Sequence, residues 1–282
     1  MPGHAGPIDR SMTANITNTG RLHFLIPAYN EEDNLVFLFS NIRRITYYLE
    51  RQYTIVLVND FSTDGTSRRA RELGAAMPVT VIDQPENRGP GAAFDTAFRH
   101  ALERSESDDI FVTIEADNTS DLCVLGKMLE SIVRGNDVVL ASVYGSGKVV
   151  GAPLTRRLLS SCANILMRYS LGLRDLHTFS SFFRMYRHGA IQALYQAYGE
   201  QAMTERGFVC MVELLIKFRQ IGVRVSEIPM LLDSNIRIGD SKMKIMRTTV
   251  SYFRVMRNHL LRKSYRPALN RADIGRLAEI AK

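Results

Sequence analysis

Carboxylates gather in this chain in two short polar runs, Asn59-Asp60-Phe61-Ser62-Thr63-Asp64-Gly65 and Glu115-Ala116-Asp117-Asn118, each directly after a stretch of apolar, β-rich residues. A third run, Pro27-Ala28-Tyr29-Asn30-Glu31-Glu32, follows an earlier stretch of the same kind. Oxygen donors of this type suit a hard divalent cation and the hydroxyl or N–H groups of a polar ligand. Gly89-Pro90-Gly91, just before a helical pattern, raises a dinucleotide-binding turn as a competitor. Such a turn belongs after the first strand, where this chain instead has Glu31 and Glu32, which would repel a pyrophosphate. The histidines show no metal-ligand spacing.

These runs form one site only if the elements before them lie side by side. Short apolar runs predict strands at 22–26, 54–58, 79–83, 110–115 and 138–141, and helical spacing predicts helices at 31–50, 66–73 and 91–103. Asp121 is placed to cap a further helix running to Arg134, and Asp64-Gly65-Thr66 reads as a turn into the second helix. Repeated βα units imply an α/β fold: a mostly parallel central sheet with helices on both faces, and ligands beyond the carboxyl ends of its strands. The later pattern is less regular. It predicts a glycine-punctuated loop at 145–151, a helix at 154–171, a β-like run at 181–186 and a helix holding Glu213 that ends near Ile221. A strand at 223–228, a polar loop carrying Arg237, Gly239, Ser241 and Lys242, and a last helix at 243–261 complete it.

A chain of 282 residues with 45% apolar content can bury a full core, and a single large domain is expected over 21–242. Residues 1–20 lack a signal-peptide core and read as a disordered leader. No window is apolar for the ~18 residues a spanning helix needs. The three cysteines, Cys123, Cys162 and Cys210, are odd in number and far apart, which suits buried free thiols in a reducing, cytoplasmic setting. The net charge of +7 lies towards the C-terminus, where residues 237–282 hold twelve Lys or Arg against three acids. Over 243–282, Met243, Met246, Val250, Phe253 and Leu260 share a face, with Lys244, Arg247, Arg254 and Arg257 largely elsewhere. That is a basic amphipathic helix with a tail beyond Leu261, suited to packing or to peripheral contact with an anionic membrane surface. The aromatics form no nucleic-acid-binding signature, and no nucleic-acid partner is expected.

In order and spacing, Ile26-Pro27-Ala28-Tyr29-Asn30-Glu31-Glu32, Val58-Asn59-Asp60, Asn87-Arg88-Gly89-Pro90-Gly91-Ala92 and Glu115-Ala116-Asp117 resemble the family 2 glycosyltransferases. Pro153-Leu154-Thr155-Arg156-Arg157, Ser180-Ser181-Phe182-Phe183-Arg184 and Gly239-Asp240-Ser241-Lys242 extend the resemblance to the polyprenyl-phosphate (dolichol-phosphate) mannosyl- or glucosyltransferase branch. The resemblance covers about residues 22–252 and implies a GT-A fold. It assigns Pro27, Ala28, Tyr29, Glu31, Val58, Asp60 and Ala116 to a nucleoside diphosphate sugar, and Glu115 with Asp117 to Mg²⁺ or Mn²⁺. Lys242 matches a phosphate contact, and Ser181, Arg184, Arg237 and Ser241 fall on the acceptor side. Asp117, Arg184 and Lys242 are the implied catalytic set.

Such enzymes move a hexose, from GDP-mannose or UDP-glucose, with inversion to polyprenyl phosphate. A phosphate monoester, with its second pKa near ~6, needs no strong general base at neutral pH, and no obvious base appears downstream. The chain departs from the pattern in several places. Glu115 replaces the usual first aspartate, Thr119 a glutamine and Val143 an arginine; Arg237 lies two residues before Gly239, with Ile236 in the expected place. Phe61 and Pro90 also differ from the small or basic residues usual there. A soluble hydroxyl or saccharide acceptor, and a nucleotide-sugar-binding protein without turnover, are the alternatives.

Overall fold

The structure, a computed structural model, describes residues 20–144, 146–151, 164, 165, 167–169, 173, 175–233, 235, 236, 238, 251–257, 267, 276, 279 and 280. Strands β1 (Leu22–Ala28), β2 (Tyr53–Asn59) and β3 (Val79–Asp83) alternate with helices α1 (Leu35–Tyr48) and α2 (Thr66–Gly74). Helix α3 (Pro90–Leu102), strand β4 (Ile110–Thr113), helix α4 (Leu125–Val133) and strand β5 (Val138–Ser142) follow. The described later elements are β6 (Lys148–Val150), β7 (Arg184–Arg187), α5 (His188–Tyr198), α6 (Cys210–Gln220), β8 (Val225–Pro229) and β9 (Leu231–Asp233).

Among the described residues, seven strands form one sheet in the order β3-β2-β1-β4-β7-β5-β8. Only β7 runs antiparallel to its neighbours, so the expected mostly parallel α/β sheet is present. Strand alternation divides the core. Leu22, Phe24 and Ile26 of β1 face α1 and α4, while Leu25 faces α3, α5 and α6 with Val56, Phe94 and Phe98. Buried on both faces, these strands read as continuous apolar runs.

Several expected boundaries move for physical reasons. Helix α1 begins at Leu35 and not at Glu31, because Asn30 takes a left-handed φ of 55° and Glu31–Asn34 closes a turn, Asn34 N donating to Glu31 O at 3.0 Å. The predicted loop at 145–151 contains β6, which pairs with β9 in a small second sheet. Helix α5 went unpredicted. Asp121 does cap, but it caps a 3₁₀ turn, Leu122–Val124, that leads into α4. Cys210 is buried as expected, whereas Cys123 is exposed. The helix predicted at 154–171 and the start of the last helix lie largely outside the described residues. Among the described residues, no helix is long and apolar enough to cross a membrane.

Candidate active site

The parallel register of β1 with β2 and with β4 puts Ala28, Asn59 and the residues after Thr113 on one edge of the sheet. With β1 between them, the ends of β2 and β4 lie about 10 Å apart, two strand spacings. This is also where the strand order reverses, the usual ligand crevice of an open α/β sheet. Each of the three strand ends is followed by a non-glycine residue with positive φ: Asn30 at 55°, Phe61 at 63° and Asn118 at 63°. Left-handed backbone costs asparagine little and a bulky residue such as phenylalanine considerably more, so strain concentrates on this edge.

At β1, Pro27 is half-buried, Ala28 is buried and Tyr29 is exposed on the rim. Glu31 is nearly covered; its N–H donates to Thr66 Oγ1 at 2.8 Å and its Oε2 accepts from Asn34 Nδ2 at 2.7 Å. Glu32 is tied to the next loop by Gly65 N at 2.9 Å and Arg68 at 2.7 Å. Asp64 Oδ1 accepts from Thr66 N at 2.9 Å, as its reading as a turn required.

Asp60 corrects an expectation. Sequence suggested a carboxylate accepting from a base or ribose, but Asp60 is 3% exposed and its oxygens accept from Arg88 N and Gly89 N, both at 2.8 Å. Burial pushes its pKa up, opposed by those two N–H groups and the Arg88 charge. Its carboxylate therefore staples the 87–89 loop to the end of β2. Val58 is likewise fully buried, leaving its backbone as the part near the edge.

Beyond β4, Glu115 is half-buried, Ala116 packs into the core and Asp117 is 6% exposed. Asp117 Oδ1 accepts from Thr119 N at 3.1 Å and Thr119 Oγ1 at 2.8 Å, which fixes the rotamer of the carboxylate. Among the described residues no three His, Cys, Asp or Glu side chains converge on a point. Two hard oxygen donors fit Mg²⁺ or Mn²⁺ when a diphosphate completes the coordination.

Arg184 is a second correction. Expected on the acceptor side, it is wholly buried in β7 and donates to the carbonyls of Phe179 (2.7 Å), Ser181 (2.8 Å) and Met211 (2.9 Å). Burial lowers its pKa, and the carbonyls replace the water it has lost. It positions the segment carrying half-buried Ser181 and cannot itself touch a ligand. Arg237, Ser241 and Lys242 lie outside the described residues. Asn34 and Asn118 were missed, though an asparagine directly before an apolar helical run was a legible signal of a helix start.

The glycosyl transferase family 2 model matches residues 24–195, more than half of the chain. A dolichol-phosphate mannosyltransferase of Pyrococcus furiosus is 33% identical over 226 residues, 79% of this chain and 59% of that enzyme. This chain belongs to glycosyl transferase family 2. A polyprenol monophosphomannose synthase of Mycolicibacterium smegmatis is 29% identical over 86% of this chain and 88% of its own length. Among solved structures, a mannosyltransferase from Pyrobaculum calidifontis in complex with GDP-Man and Mn²⁺ superposes with a TM-score of 0.60 at 17% identity, covering 94% of this chain and 71% of that one. Glucosyl-3-phosphoglycerate synthase from Mycobacterium tuberculosis superposes at 0.63 and 17%, over 95% and 86% of the chains. At such identities these superpositions establish the GT-A fold of this family 2 chain. The aligned part spans 59% of the length of the Pyrococcus relative.

Proposed function

We propose that the chain transfers a hexose with inversion from a nucleoside diphosphate sugar, GDP-mannose or UDP-glucose, to polyprenyl phosphate. The observation that carries this reading is the placement of Glu115 and Asp117 on the same sheet edge as Glu31 and Tyr29, at the reversal of strand order. Rim-exposed Tyr29, Glu31 and the backbone at Pro27, Ala28 and Val58 hold the nucleoside, with Asp60 keeping the neighbouring loop in place. Glu115 and Asp117 would hold Mg²⁺ or Mn²⁺, whose charge stabilises the departing diphosphate. The resemblance assigns Lys242 to the diphosphate and Ser181, Arg237 and Ser241 to the acceptor, whose phosphate oxygen would attack the anomeric carbon without a strong general base.

The relatives named above for polyprenol and dolichol phosphate support the lipid acceptor, and the basic stretch at 243–282 suits an anionic membrane surface. The test is incubation of the chain with each donor, Mn²⁺ and polyprenyl phosphate, followed by extraction into organic solvent. Labelled sugar should enter the organic phase and be lost in Asp117→Ala. Sugar found only on soluble acceptors would displace the lipid reading, and nucleotide binding without turnover on any acceptor would displace the enzyme. Flotation with acidic liposomes, expected to weaken when Arg254 and Arg257 are neutralised and residues 265–282 removed, tests the membrane contact.

A further inference from the structure

Asn34 is 1% exposed, yet its side chain caps nothing in the helix it precedes. Its amide reaches three other places. Nδ2 donates to Glu31 Oε2 at 2.7 Å and to Ile238 O at 3.1 Å, while Oδ1 accepts from Ile238 N at 3.2 Å. Two acceptors on one side and a donor on the other leave a single orientation for the amide. The pairing with both N–H and C=O of one residue imitates a strand edge, and it ties down chain 204 positions away.

The backbone of Asn34 makes a further link. Its carbonyl accepts the helical N–H of Leu38 at 3.1 Å and also Asn118 Nδ2 at 2.8 Å. Asn118 adjoins Asp117 and holds a φ of 63°, a conformation that a residue with a local side-chain anchor retains at modest cost. The β4 loop meets the other segment directly as well, since Thr119 O accepts from Asp233 N at 3.1 Å. Three parts of the site thus converge on one buried residue: Glu31 at the nucleoside side, Asn118 beside the carboxylate pair, and the backbone one residue before Gly239-Asp240-Ser241-Lys242.

We propose that Asn34 is a positioning residue that couples the Glu115-to-Thr119 loop to the backbone at Ile238, so that nucleotide and metal bound at the first steady the second. This deepens, and rests on, the transferase reading above. Alanine removes the bracket. Aspartate cannot donate to Ile238 O and sets a second carboxylate against Glu31, so it acts more severely. Asn118→Gly is the sharper variant, because glycine accepts the positive φ and the substitution deletes only the bond to Asn34 together with an Oδ1 that is buried without a partner.

Hydrogen exchange read by mass spectrometry on the ligand-free chain tests the coupling. Asn118→Gly should speed exchange in the peptide containing Ile238, to which Asn118 is linked through Asn34, and Asn34→Ala should speed it in both that peptide and the one containing Asn118. With GDP or UDP and Mn²⁺, the Mn²⁺ concentration for half-maximal nucleotide binding should rise about five- to tenfold in either variant, the scale of a modest coupling, with metal-free affinity unchanged in Asn118→Gly, which leaves the bond from Asn34 to Glu31 intact. Unchanged exchange at Ile238 in Asn118→Gly, or an unaltered Mn²⁺ requirement beside a lowered melting temperature, overturns the proposal. Coupled exchange in a wild-type chain that binds no nucleotide upholds the coupling and overturns the transferase reading alone.

Discussion

Two side chains of this site change their meaning once their partners are known. Asp60 holds the loop after β3 through two backbone N–H groups, and Arg184 holds three carbonyls. Their types and positions were legible in the chain, but their burial was not, because the groups that cover them lie 27 to 29 positions away for Asp60 and as many as 27 for Arg184. Asp60→Asn should place an amide N–H₂ against a backbone N–H and destabilise the fold by about 1–3 kcal/mol, read by urea unfolding. Arg184→Lys cannot reach all three carbonyls in the same planar fork and should lower the melting temperature. Asp117→Asn should leave the melting temperature within a few degrees while abolishing Mn²⁺-dependent transfer. A large stability loss there would mark Asp117 as structural.

Helix α3 starts with Gly89 at a φ of 84°, Pro90 in its first turn and Gly91, whose N–H donates to Arg206 O at 2.8 Å. A Cβ on Gly91 would lie 2.0 Å from Glu205 O, so Gly91→Ala must push the 204–206 segment away. That segment hangs from α6: Glu213 accepts from Thr204 N at 3.0 Å and Glu205 N at 2.8 Å, and pairs with buried Lys217 at 2.6 Å. Glu213→Gln would leave the ammonium of Lys217 buried without its carboxylate, and a loss of about 3–5 kcal/mol in chemical denaturation is expected. The glycine pair first read as a phosphate-cradle competitor is thus a close-packing site between α3 and the segment before α6. Sequence placed α3 within a residue at each end because local periodicity sets it. It missed β6 and β9, whose three-residue pairing depends on chain some 80 positions apart.

On the edge of the sheet opposite the candidate site, Asp109 joins β1 to β4. Burial raises its pKa, but hydrogen bonds from His23 and from the backbone of Glu106 and Arg21 outweigh that and hold it below the usual 3.8. A carboxylate with a depressed folded pKa contributes stability that is full above 3.8 and is lost as pH falls through the lower folded value. Melting temperature followed from about pH 7 to about pH 3 should therefore fall more steeply in the wild type than in Asp109→Asn. Equal slopes would show that the pair does not contribute to acid sensitivity.

Sequence alone determined the alternation of strands and helices, the polar character of the strand ends, the Glu115 and Asp117 pair and membership of the family, because each is written in local spacing and residue type. Tertiary structure decided that β7 enters antiparallel between β4 and β5, that Asp60 and Arg184 are covered, and that Asn34 brackets Ile238. Those facts depend on which distant backbone groups a buried polar side chain meets. Periodicity along the chain carries no record of that meeting, since it is settled only when the layers pack and water is excluded.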